Sequence, residues 1–149
     1  MTATSAFQDI LIARLHAAGV RRLFGVPGGG TSLALMVAAK AAGIEVIITA
    51  REDAAVIMAG VSGVLAETPG VAFATRGPGL ASAINGVAAA TLDRFPALLV
   101  AEIAAPAEYA YVSHQFIDQA AMVRPLMRQE GDLLAAHPNS LDAWLQQQP

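Results

Sequence analysis

Cysteine is absent from the 149 residues. Disulfides and thiolate metal sites are therefore excluded, and nothing points to secretion. Charge is scarce as well, at 14% of residues against 55% hydrophobic. Lys and Arg are scattered, with only Arg21 and Arg22 adjacent, and the net charge is −3. No basic stripe exists to neutralise phosphates, so nucleic acid is not an expected partner. Long apolar runs are missing too. The longest, Ala54 to Ala66, is shorter than the ~20 residues that span a bilayer. The N-terminus has no basic start followed by an apolar run, so no signal peptide is read and a cytoplasmic protein is expected. His16, His114 and His137 are far apart, with no second ligand type at metal spacing, so no metal site is expected. No Ser-His-Asp order is suggested either.

What is present is apolar material enough for a core, in a length that fits one domain. Short β-type runs appear at Arg22 to Val26, Glu45 to Ala50, Gly70 to Thr75 and Ala97 to Ile103. Between them lie Ala-rich segments with helical spacing. Strands alternating with helices imply βαβ units and a doubly wound α/β fold with a mainly parallel sheet. The runs are apolar throughout, which suits a sheet covered on both faces.

The boundaries can be read as well. Ser5 with Gln8 forms a capping-box pattern opening a helix to about Ala18, and Gly19 closes it. Thr31 or Ser32 is expected to cap a second helix, ending near Gly43. A third runs from Glu52 to about Glu67, and a fourth from Gly79 to just before Arg94. Beyond Pro106 the expectation is a loop to about Ser113, a helix from Gln115 to Val123, a strand at Pro125 to Gln129 and a last helix after Asn139.

Two glycine-rich turns each follow a strand and precede a helix: Gly25-Val26-Pro27-Gly28-Gly29-Gly30 and Arg76-Gly77-Pro78-Gly79. In a parallel sheet they lie at the carboxyl edge, where ligands bind. Glycine permits close approach and offers free N–H groups at a helix start. The first turn lacks both the G-x-G-x-x-G spacing and the Lys-Ser or Lys-Thr of a Walker loop. Tight turns without a ligand remain the alternative. Glu52 sits at a strand-to-helix junction on the same edge. A carboxylate there either complements the helix dipole or serves as a general acid or base. His114 and Gln115 fall in a loop after the fourth strand, either as plain loop residues or as further groups at that edge.

These residues together resemble a family. Phe24-Gly25-Val26-Pro27-Gly28-Gly29, then Glu52 opening an apolar helix, Pro69-Gly70-Val71, Gly77-Pro78-Gly79 and Asp93-Arg94-Phe95-Pro96 follow one another. In that order they look like the N-terminal, pyrimidine-binding domain of thiamine-diphosphate-dependent enzymes of the acetolactate synthase kind. Gln115-Phe116-Ile117-Asp118-Gln119 and Arg124-Pro125 look like its next stretch. The resemblance covers about residues 5 to 130.

The resemblance implies a transferase or lyase component acting on 2-keto acids, like acetolactate synthase or pyruvate decarboxylase. Glu52 matches the glutamate that bonds the aminopyrimidine ring nitrogen, favours its imino tautomer and so activates the thiazolium C2. Pro27, Gly28 and Gly29 match the turn lining the site. Thr75, Gly77 and Gly79 match the second turn, and His114 and Gln115 the substrate side. Arg51 stands where His is frequent, Ser82 where Asn is, and Glu102 where a small residue is.

The family's central domain and its Mg²⁺- and diphosphate-binding domain have no counterpart in these residues. Only the pyrimidine end of the cofactor is therefore expected here. Mg²⁺ and diphosphate ligands are expected on a partner chain, in a complex or homodimer. A catalytically silent fragment or regulatory partner that keeps the fold and dimer surface is the alternative. The sheet is expected to be truncated at its C-terminal end.

Overall fold

A computed structural model describes residues 7–104 and 106–127. Four parallel strands, β1 (Arg22–Gly25), β2 (Glu45–Ile48), β3 (Gly70–Ala74) and β4 (Ala97–Ala101), form one sheet in the order β2-β1-β3-β4. Helices α1 (Phe7–Ala17), α2 (Thr31–Ala41), α3 (Glu52–Ala66) and α4 (Pro78–Leu92) precede or connect them. The expected doubly wound, parallel α/β architecture is what forms.

Two cores separate along the strands because successive side chains point to opposite faces. Leu23, Val71 and Phe73 pack with Leu11, Ile12 and Leu15 of α1 and Leu35 and Ala39 of α2. Phe24 and Ala72 face the other way, against Ala55, Val56 and Ala59 of α3 and Ala83 and Val87 of α4. Phe73 is 1% exposed, and burial on this scale stabilises by roughly 1.5–3 kcal/mol per large side chain. Only β3 is buried along its whole length. The outer strand β2 is half open, because α3 leaves it to lie across the inner strands. Coverage on both faces therefore holds for the centre of the sheet and not for its edge.

The second core is thin because it is built from small residues. A Cβ on Gly86 of α4 would collide with the Asp53 carbonyl and stand 2.8 Å from Val56 Cβ. The Ala-rich sequence that reads as generic helix is thus what allows two helices to pack closely on one sheet face.

Helix ends follow the glycines in part. Gly19 and Gly43 adopt φ of +91° and +77° after α1 and α2. Neither Thr31 nor Ser32 caps α2; Gly30 occupies that position. The Ser32 hydroxyl instead accepts the Gly28 N–H at 3.1 Å and donates to the Gly29 carbonyl at 3.2 Å.

The segment after β4 differs more. The expected loop contains a 3-10 turn (Pro106–Glu108) and a short helix α5 (Tyr109–Val112), followed by another 3-10 turn (Ser113–Gln115). The next helix, α6 (Gln119–Val123), begins four residues later than expected. The Asp118 carboxylate caps it by accepting the Ala121 N–H at 2.9 Å. Residues 125–127 form a turn and its exit rather than the start of a strand. The Thr91 hydroxyl ties this turn to α4 by donating to the Leu126 carbonyl. The Ser5 cap, the remainder of the expected strand, the last helix and the truncated sheet end lie outside the described residues. Among the described residues no helix is long and apolar enough to cross a membrane.

Gly86→Ala is expected to destabilise the fold by about 1–3 kcal/mol through overpacking between α3 and α4. Urea denaturation measures it; an unchanged midpoint would show that the two helices have room to separate.

Candidate functional site

The strand order sets the position of the site. From β1 the chain crosses first to β2 on one side and later to β3 on the other. A crevice at the carboxyl ends, between β1 and β3, is where such sheets bind ligands. The register pairs Gly25 with Phe73, so the two glycine-rich turns leave the sheet side by side.

Thr75 fills the space between them. A Cβ on Gly28 would collide with Thr75 Cγ2, and one on Gly79 with Thr75 Oγ1. The same position on Gly79 is 3.7 Å from Glu52 Oε1. Gly28, Thr75, Gly79 and Glu52 therefore meet at one place. Glu52 is half-buried at the first position of α3, and among the described residues its carboxylate accepts no hydrogen bond. Pro27 and Gly29 are exposed on the first turn, and Gly29 has open space where a side chain would stand.

Gly77 belongs to the second turn but faces elsewhere. Its φ is +58°, and a Cβ there would run into the Gln115 carbonyl. Gln115 thus reaches the edge through its backbone, packed on the turn. The His114 ring is exposed and makes no hydrogen bond among the described residues.

Several N–H groups at the turns and helix starts, expected to be free, are engaged. The Gly28 N–H goes to Ser32, the Thr31 N–H to Glu102 Oε1 at 2.9 Å and the Gly77 N–H to Gln119 Oε1 at 2.9 Å. A helix start already holding a carboxylate is a poor place for a phosphate. What remains at the crevice is a small, glycine-lined wall with one unengaged carboxylate, which suits a flat, weakly polar ring. Among the described residues no group of three His, Asp or Glu side chains is placed to hold a metal ion.

Asp53, beside Glu52, has a different task. It takes a bidentate pair from Arg51 at 3.0 and 2.9 Å, the Ala54 N–H at 2.8 Å and a 3.5 Å contact from Asn85 of α4. The Arg51 hydrogen bonds above all lower its pKa from 3.8 to about 2, although desolvation opposes them. Arg51 thus anchors the start of α3 through Asp53. Sequence reasoning passed over Asp53, Arg76, Glu102 as a pairing group, and Gln119. An Arg in one strand-end turn and a Glu at the end of the neighbouring strand were the available signal.

Fold and crevice define a parallel α/β domain with a candidate ligand site at its topological switch point. A family model described as thiamine pyrophosphate enzyme, N-terminal TPP binding domain, matches residues 6–122, and the chain belongs to this family. It is 30% identical over 128 residues to a catabolic acetolactate synthase of Raoultella terrigena, covering 86% of this chain and 23% of that protein. It is 40% identical over 116 residues to 2-hydroxyacyl-CoA lyase 2 of Bos taurus, covering 78% of this chain and 18% of that protein. With acetolactate synthase isozyme 3 large subunit of Escherichia coli the identity is 31% over 121 residues, covering 80% and 21% respectively. The chain thus spans between a sixth and a quarter of the length of these relatives.

Because the folded-state pKa of Asp53 is depressed, its contribution is present above the unfolded value and is lost as pH falls from about 3.8 toward about 2. Stability measured by urea denaturation is expected to fall across that window, and the fall to be shallower in Asp53→Asn. Identical slopes for both proteins would remove Asp53 from the account.

Proposed function

We propose that this chain supplies the pyrimidine-binding half of a cytoplasmic thiamine-diphosphate enzyme acting on 2-keto acids, of the acetolactate synthase or pyruvate decarboxylase kind. The observation that carries the reading is Glu52, an unengaged carboxylate beside Gly79 and Thr75 at the switch-point crevice. The groups present fit the pyrimidine end of the cofactor. Three N–H donors that could have served its diphosphate, those of Gly28, Thr31 and Gly77, are already bonded within the chain. Ligands for Mg²⁺ and diphosphate would come from a diphosphate-binding domain on another chain.

When bound, the cofactor would supply an acidic thiazolium carbon that, once deprotonated, is a nucleophile toward the carbonyl of a 2-keto acid. Glu52 would be the residue that holds a proton for the pyrimidine ring. Its half-buried setting limits competition from water. Thr75 and Gly79 allow the ring to approach the second turn, and Gly77 holds that turn against Gln115. Pro27, Gly28 and Gly29 form the opposite wall. His114 and Gln115 stand on the substrate side.

Assembly, as a homodimer or with the chain carrying the diphosphate-binding domain, is part of the proposal. The outer face of α3 exposes Met58, Val61, Val64 and Leu65. Together with Phe24 and Ile47, three of these four (Met58, Val61 and Leu65) line an apolar groove of about 550 Å³. Contiguous apolar surface of this kind is commonly covered by a partner.

Glu52→Gln keeps shape and removes the acid. Exchange of the cofactor's C2 proton for deuterium, followed by NMR in the assembled enzyme, is expected to slow by about 10²–10⁴-fold. Circular dichroism should be unchanged. Equal exchange in both proteins would reject Glu52 as the activating group. A wild-type complex that does not accelerate exchange at all would favour a catalytically silent partner instead.

A further inference from the structure

A second constellation at the carboxyl edge stands apart from Glu52. Glu102 immediately follows β4, and its side chain is only 7% exposed. Oε1 accepts the Thr31 N–H at 2.9 Å at the start of α2. Oε2 accepts Arg76 Nε at 3.3 Å, and Arg76 Nη2 lies 3.3 Å from Oε1. The first turn bends closely around this carboxylate. Gly30 has φ of +65°, and a Cβ there would stand 3.0 Å from Oε1. Arg76 is itself largely buried and also meets Glu108 at 3.5 Å. One carboxylate thus joins the turn after β1 to the turn after β3.

The backbone of Glu102 extends the connection. Its carbonyl accepts Gln119 Nε2 at 3.0 Å, and Gln119 Oε1 accepts the Gly77 N–H at 2.9 Å. A buried carboxylate persists only when it is paired and hydrogen-bonded. Here burial pushes its pKa up, and the bonds from Arg76 and Thr31 outweigh that, leaving it lowered. Removing one partner would leave a buried charge uncompensated, so the unit holds together or shifts as a whole.

We infer that Glu102 is a positioning residue: shared between the Thr31 N–H and the Arg76 guanidinium, its carboxylate clamps the Gly28 and Gly79 turns onto the Thr75 between them and so holds the crevice at its width. Only the identity of the ring in that crevice rests on the function proposed above. The pair acts through the turns, since neither side chain belongs to the Glu52 cluster.

Amide hydrogen exchange by NMR on the full chain tests this with Arg76→Lys, Glu102→Gln and the double variant Arg76→Gln/Glu102→Gln. Arg76→Lys leaves the acceptor of the Thr31 N–H in place, so a merely local bond would keep Thr31 protected. Positioning requires exchange at Thr31 to quicken by about tenfold. Glu102→Gln should do the same at Gly77 and Gly79. The double variant, which leaves no unpaired buried charge, should recover part of the protection. Retained protection at Val71 to Phe73 checks the fold, and if Glu102→Gln does not fold, Arg76→Lys carries the same test. Unchanged exchange at Thr31 in Arg76→Lys overturns the inference.

Titration with 4-amino-5-hydroxymethyl-2-methylpyrimidine at millimolar concentration separates the two readings. Shifts at Gly28 and Gly79 in the wild type, weakened about fivefold or more in Arg76→Lys, support positioning. Equal affinities overturn it. Absence of shifts from the wild type counts against the proposed function, while the exchange result still decides the inference.

Discussion

Parallel pairing of β1 with β3 is the constraint from which the site follows. With β2 on its other side, β1 becomes the point where successive connections diverge. The register then brings the ends of β1 and β3 level, Gly25 opposite Phe73. Two turns about fifty residues apart in sequence are forced together, and Thr75 fits between them only because Gly28 and Gly79 carry no side chain. Glu52 arrives at the same place because α3 starts at the carboxyl edge and packs beside α4. Slipping the pairing by one residue would turn Phe73 out of its core and dissolve the crevice together with the fold.

The few charges of this chain are used unevenly. Arg22 and Glu45 pair at 3.1 Å across the open edge of the sheet, where both are more than half exposed and the pair contributes little. At the carboxyl edge, Arg51 engages Asp53, and Arg76 engages Glu102. Glu52 adjoins the first pair in sequence and feels the charge of Arg51, yet among the described residues it accepts no hydrogen bond from either arginine. Its neighbours are committed, which leaves it as the group available to a ligand. The same economy reduces what the turns can offer to an anion. Ser32, Glu102 and Gln119 take up donors that an anion would otherwise use.

Much of this was legible from the residues. Apolar runs separated by Ala-rich helical stretches give the parallel sheet directly, and each strand begins where its run begins. The two turns and Glu52 are visible because glycine at a strand-to-helix junction has a conformational reason to be there. The segment after β4 was less legible, since its order depends on side chains finding distant partners. Gln119 binds Gly77, Glu108 meets Arg76 and the Gln115 carbonyl packs on Gly77, none of which has local periodicity. Capping of α2 was misread for a related reason. Thr31 and Ser32 have the right chemistry, but Glu102, seventy-one residues away, supplies the acceptor for the Thr31 N–H.

Under the proposed function, these residues hold the pyrimidine end of the cofactor and a separate domain holds its diphosphate. Calorimetric titration of thiamine diphosphate with Mg²⁺, with and without a chain carrying the diphosphate-binding domain, tests it most directly. Weak or undetectable binding by this chain alone, becoming tight and Mg²⁺-dependent in the complex, is the expected result. Submicromolar, Mg²⁺-dependent binding by the 149-residue chain by itself would contradict the account.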